Sequence, residues 1–273
     1  MLGPGDPLWG AVGACAVLVA VCWLASVVTG NYSQVDRLWS ILPAAYVGYF
    51  AACAGWADTR LNLMALLTGL WGVRLTYNFA RKGGYRRGSE DYRWPELRRL
   101  LGPIGFQILN ATFIAPYQNL LLLLIAIPAY VAWGARGTPL GALDVLAAGA
   151  FLVFLVGEIV ADQQQWRFQC AKQERRARGE ASGPGFVTSG LFRFSRHPNF
   201  FCEMAMWWTI YLFAVAATGR WLDWSMTGTI LLTLLFQGST WFTERMMLAK
   251  YPAYAAYRQT TSRFLPMIPT RRA

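Results

Sequence analysis

The sequence is short of acid, of histidine and of charge altogether. Of 273 residues 14% are charged, 14 Asp+Glu stand against 25 Lys+Arg, and His197 is the sole histidine. A soluble domain carries nearer a quarter charged residues, so an ordinary cytosolic enzyme is excluded. The five cysteines, Cys15, Cys22, Cys53, Cys170 and Cys202, are odd in number and form no Cys-x-x-Cys pair. With one histidine, that argues against a disulfide framework and a Cys/His zinc site, and no metal is expected. Residues 1–7 lack the positive region of a cleavable signal, so the first apolar run reads as a retained span. No recognition motif accompanies the net charge of +11, and nucleic acid is not expected as a partner. Neither an inverted repeat nor a low-complexity linker interrupts the chain, which reads as one membrane domain over residues 1–273.

What is present is apolar sequence, 55% of the chain, much of it in stretches of about twenty residues, enough to cross a hydrocarbon layer of about 30 Å as helix. Spans are predicted near 8–29, 38–56, 61–80, 106–133, 143–166, 199–218 and 225–247. The expected fold is an all-α integral membrane protein with seven transmembrane helices. Of the basic residues, 21 fall in the first, third and fifth connections and the C-terminal tail, three (Arg60, Arg136, Arg220) fall in the others, and Arg74 lies within a span. Cytoplasmic connections collect Lys and Arg, which sets the N-terminus outside and the C-terminus in the cytoplasm. The basic layer suits anionic lipid headgroups, at about 1 kcal/mol per residue near the surface. It equally suits a phosphorylated ligand.

Polar residues within spans are costly, at least about 2.5–3.5 kcal/mol for a charge at mid-bilayer, and need a partner or a task. Glu158, Asp162, Gln165 and Gln169 follow an i, i+4, i+7, i+11 spacing that forms one helical stripe. Asn199 and Glu203 repeat it at i, i+4, and Gln237, Thr240 or Trp241, and Glu244 repeat it again. Asp36 lies at the mouth of the second span in Gln34-Val35-Asp36-Arg37, with Arg74 and Tyr77 toward the cytoplasmic end of the third. Asp36 reads either as the partner of Arg37 or Arg74 or as a functional acid. The acids and amides together predict a polar cavity open to the cytoplasm.

Two segments are denser still. Gly190-Leu-Phe-Arg193-Phe-Ser-Arg196-His197-Pro198-Asn199 brings a basic loop to the start of a helix, whose free N–H groups favour anions. After the seventh span Tyr251, Tyr254 and Tyr257 recur every three residues among Lys250, Arg258 and Arg263, ahead of Pro266. They read as interfacial anchors or as groups that stack on and grip a nucleotide.

Gly190-Leu-Phe-x-x-Ser-Arg-His-Pro-Asn-Phe with Glu203, then Glu244…Leu248-x-x-Tyr251-x-x-Tyr254-x-x-Tyr257 and the later Pro, resembles the C-terminal half of the steroid 5-alpha-reductase family. The segments at 34–39 and 81–94 resemble its bacterial membrane relatives, and the likeness extends over residues 30–269. The same superfamily holds membrane methyltransferases of the isoprenylcysteine carboxyl type, which use S-adenosylmethionine; Asn199 followed four residues later by Glu203 matches the reductase pattern. The resemblance implies an enzyme of the bacterial inner membrane that holds NADPH in a cytoplasm-facing cavity and reduces a carbon–carbon double bond conjugated to a carbonyl in a hydrophobic substrate. It implies a substrate pocket from the first four helices and a cofactor part from 143–273. Asn199 and Glu203 would meet the nicotinamide carboxamide and ribose, and Asp162 and Arg167, on the fifth helix and the loop after it, would also bind the cofactor. Arg196 and His197 would lie near phosphate, and Tyr254, Tyr257, Arg258 and Arg263 would close the pocket. Gln34, Asp36 and Tyr77 would polarise the substrate carbonyl, although the family pairs an adjacent Gln-Glu where this chain has Gln-x-Asp. Membrane lipids and the substrate are the partners expected, with no obligate protein partner. A non-enzymatic lipid-binding or transport protein is the remaining alternative.

Overall fold

The computed structural model describes residues 3, 5–180 and 185–269. Among them the chain is helical, and the sole β feature is an isolated parallel bridge between Ser195 and Ser262. It divides into two compact units, Met1–Ala148 with Ile210–Leu231, and Gly149–Thr209 with Leu232–Ala273, a division that no linker in the sequence announces.

Among the described residues four helical stretches are long and apolar enough to cross a membrane: Pro7–Thr29, Arg93–Gly134, Ala142–Ala177 and Pro198–Thr218. The first is α1 (Pro7–Thr29), which ends at Gly30. The segment expected at 38–56 holds α3 (Leu42–Cys53), and the short α2 (Gln34–Leu38) ends where that segment was to begin. Pro43 at the start of α3 has no N–H to carry α2 onward, and the 12 residues of α3 rise only about 18 Å. The next helix, α4 (Thr59–Arg81), is long enough but diluted by Asn62, Arg74 and Asn78.

The expected span 106–133 is composite. It runs through α5 (Arg93–Leu109), a π-helical segment (Asn110–Tyr117), α6 (Gln118–Leu124) and α7 (Ile127–Gly134). Gly102 sits at φ 68°, ψ 174°, breaking α5 ahead of Pro103, and the wide turns of the π segment accommodate Pro116, which cannot donate to an α-helical ladder. The 36 residues of α8 (Ala142–Ala177) overshoot the expected 143–166, because the Gln, Lys, Glu and Arg that follow are strong helix formers and carry the helix past the apolar stretch. Then come α9 (Pro198–Thr218), α10 (Met226–Lys250), again long but interrupted by Thr233, Gln237 and Glu244, and α11 (Tyr254–Thr260).

In the first unit α3 packs on α4 and α7, and α1 on α6 and the π segment. Phe50, Leu61, Met64 and Trp71 are fully buried there. At Gly72 a side chain would stand 2.6 Å from the Ser40 carbonyl oxygen, so glycine sets the approach of α4 to the α2–α3 turn. Trp9, Val17, Val21, Leu24 and Val28 leave the outer side of α1 apolar and exposed, as a lipid-facing helix requires. The N-terminus of α4 is pinned by Arg60, which donates to both carboxylate oxygens of buried Asp144 at 2.7 and 3.0 Å and to the Pro139 carbonyl at 2.9 Å.

Candidate functional site

The second unit gathers most of the residues singled out from the sequence. Gly190 adopts φ +63°, and a side chain there would run into the Gln164 amide at 2.4 Å. Its position lets Gln164 accept the Leu191 N–H at 2.9 Å, seating the turn Gly190–Arg193 on α8. The chain continues to Ser195, where the segment after α11 pairs with it: Arg196 N donates to Ser262 O at 2.9 Å and His197 N to Arg263 O at 3.1 Å. Met267 N returns to Phe194 O at 2.9 Å.

Glu244 on α10 is the hub of this closure and is 2% exposed. Arg196 binds it through two nitrogens, Nε at 2.7 Å and a terminal nitrogen at 3.2 Å. His197 Nε2 lies 3.0 Å and Arg258 Nε 3.3 Å from its oxygens. The other terminal nitrogen of Arg196 donates to the carbonyls of Arg258 and Thr261. Arg196 and His197, expected beside a phosphate, thus have their donors turned inward to hold the tail. Among the described residues the Arg263 side chain reaches Gln237, at 3.4 Å.

The tyrosines close the same region. Phe186 lies 4.9 Å from the Tyr254 ring and stacks on Tyr257 at 5.5 Å. Tyr257 donates its hydroxyl to the Phe192 carbonyl. Burial pushes both phenols well above the ordinary tyrosine value. Tyr251 instead accepts from Lys172 at 2.9 Å, which holds its hydroxyl below that value. Lys172 and Phe186 were not among the residues expected from sequence; a lone lysine and a lone phenylalanine carry no motif.

The second unit holds three more buried carboxylates: Glu158 and Asp162 on α8, 5% and 4% exposed, and Glu203 on α9, 4% exposed. Glu203 accepts the Trp207 indole N–H at 3.0 Å. The two helices approach closely at Gly157, where a side chain would come within 2.9 Å of the Cys202 sulfur. Asn199 is half-buried in the first turn of α9, and its amide makes no hydrogen bond to the described residues; Arg167 and Arg193 are exposed.

Gln34, Asp36 and Tyr77 belong to the first unit. Trp94 donates its indole N–H to Asp36 Oδ2 and to Ser33 Oγ, both at 3.1 Å, and Ser33 Oγ also accepts from Asp91 N at 2.8 Å. Gln34 is spent on Thr29, the Asn31 carbonyl and Arg37. Tyr77 is 66% exposed, with the Arg81 guanidinium 5.5 Å over its ring. Asp36 is therefore tied to Trp94, a residue that sequence reasoning passed over although it lies in the Glu-Asp-Tyr-Arg-Trp segment. Among the described residues no group of three or more His, Cys, Asp and Glu is placed to hold a metal ion.

An uncharacterized protein of Schizosaccharomyces pombe is 41% identical to this chain over 266 residues, covering 92% of this chain and 77% of the relative. No solved structure matches this chain. A family model described as a protein of unknown function (DUF1295) matches residues 22–261, and the chain belongs to that family.

Proposed function

We propose that the protein is a membrane oxidoreductase that uses NADPH to reduce a carbon–carbon double bond conjugated to a carbonyl in a hydrophobic, steroid-like or isoprenoid substrate. The observation that carries this reading is the second unit's combination of buried carboxylates with a half-buried amide and outward cations. Seven spans fit the fold when α2 and α3 together make the second, with α1, α4, the α5–α7 stretch, α8, α9 and α10 as the others. The basic connections then face the cytoplasm.

The donor set suits a dinucleotide. Asn199 would hold the carboxamide, and Asp162 and Glu203 would accept from ribose hydroxyls. Arg167, Arg193, Arg258 and Arg263 keep N–H groups for phosphates, while Arg196 and His197 position the loop through Glu244. When bound, NADPH supplies a hydride. Reduction at the β-carbon of an enone builds negative charge on the carbonyl oxygen, and stabilising that charge falls to the chain.

Thermal unfolding of the detergent-purified protein with NADPH, NADP⁺, NADH and S-adenosylmethionine tests this reading. A ligand that binds only the folded state adds about 2.7 kcal/mol at a hundred times its dissociation constant. NADPH is expected to raise the melting temperature, and Asn199→Ala to abolish that rise while leaving the unliganded protein unchanged. A shift with S-adenosylmethionine alone would assign a methyltransferase, and no shift with any of the four would leave a non-enzymatic lipid-binding or transport role.

A further inference from the structure

The stretch Arg93–Gly134 has 42 residues, about 63 Å of helix and twice the hydrocarbon thickness. It cannot cross as one rod, and it is broken at two places: at Gly102–Pro103, and at Ile125–Ala126 between α6 and α7. Residues 103–124 rise about 33 Å, one crossing, and contain no Asp, Glu, Lys or Arg. Residues 93–101 hold Arg93, Glu96, Arg98 and Arg99.

That first part of α5 is two-sided. Trp94 and Leu97 pack inward with Tyr32, Phe106 and Ile114, and Arg98 lies 5.0 Å over both the Tyr32 and the Phe106 rings. Leu100 and Leu101 face outward, 54% and 47% exposed, beside Arg99. Ahead of it, Gly83 and Gly88, both at positive φ, bracket a turn in which Arg86 N donates to Gly83 O and Ser89 N to Arg86 O, each at 3.0 Å. The turn leaves Tyr85, Arg86 and Arg87 exposed.

Charge matching singles out two of these residues. The three acids of residues 81–99 each meet an arginine: Asp91 with Arg93 at 2.8 Å, Glu90 with Arg98 at 3.4 Å and Glu96 with Arg99 at 2.6 Å. Arg86 and Arg87 meet no acid among the described residues. Unmatched guanidinium groups, exposed Tyr85 and Tyr92, and an outward leucine pair ahead of a helix kink are what a segment lying in a headgroup layer presents. The geometry points to residues 83–101 as a docking surface for anionic lipid headgroups. Arg86 and Arg87 bind the phosphates, Leu100 and Leu101 enter the upper acyl layer, and Gly102–Pro103 turns the chain into the bilayer.

Hydrogen exchange of the full chain in nanodiscs tests this, comparing phosphatidylcholine with a mixture containing phosphatidylglycerol. Amides of residues 84–101 are expected to exchange roughly tenfold more slowly with phosphatidylglycerol. The double variant Arg86→Gln, Arg87→Gln should lose that difference, and Arg220→Gln, an exposed arginine elsewhere, should keep it. Equal exchange in the two lipids, or a difference surviving in the double variant, would overturn the proposal. Slowing by millimolar inorganic phosphate in phosphatidylcholine discs would also overturn it, in favour of a soluble phosphate site. Leu101→Asp tests the apolar half: faster exchange over 93–101 in both lipids is expected, and unchanged exchange counts against insertion.

Discussion

Asp144 in the first unit and Glu244 in the second are carboxylates buried to the same degree, 1% and 2% exposed, yet they are satisfied in different ways. Asp144 meets one arginine face to face and takes the Gly141 N–H at 2.8 Å, so a single cation suffices. Glu244 is shared among Arg196, His197 and Arg258, which come from the loop before α9 and from α11. The first arrangement staples two turns; the second makes one side chain responsible for closing a tail onto a loop. A buried charge with a single partner is the more brittle of the two, because removing either member leaves the other uncompensated.

The largest effect should therefore come from Asp144→Ala, which strands Arg60 in the interior and is expected to cost about 3–5 kcal/mol; a loss of melting temperature too small to detect would make the pair dispensable. Glu244→Gln keeps the shape and removes the charge that Arg196, His197 and Arg258 share, at an expected cost of about 2–3 kcal/mol. It should also speed proteolytic cleavage within residues 261–269. Loss of stability without faster cleavage would mean that Glu244 supports the helix and does not hold the tail.

The smallest effect concerns Asp36, which extends the comparison to a carboxyl held by an indole and a hydroxyl in place of a facing cation. Asp36→Ala removes the Oδ2 acceptor and leaves the Trp94 indole N–H to Ser33 Oγ alone, at an expected cost of about 1 kcal/mol. A melting temperature unchanged in the variant would mean that Ser33 suffices to hold Trp94.

Much of the architecture was legible before the fold. The apolar runs beginning near Pro7, Ala142 and Pro198 start their helices within a residue or two of expectation, because hydropathy and proline act locally. The interruptions at 39–41 and Ile125–Ala126 were not legible. A proline in a long apolar run permits either a kink or a break, and packing selects between them. Asn199 and Glu203 stood out because their spacing is local, whereas Trp94 did not, since its partner Asp36 is 58 residues away.

Composition and spacing by themselves determined that this chain is helical, that its apolar stretches suit a bilayer and that its acids align on helical faces, since each property is set within a few turns. Only the tertiary structure decided that Arg196 and His197 turn inward to Glu244, 48 and 47 residues distant, and that Asp36 rests against Trp94. Those pairings depend on which elements meet, and the meeting is decided by the burial of whole helix faces, which no local pattern encodes.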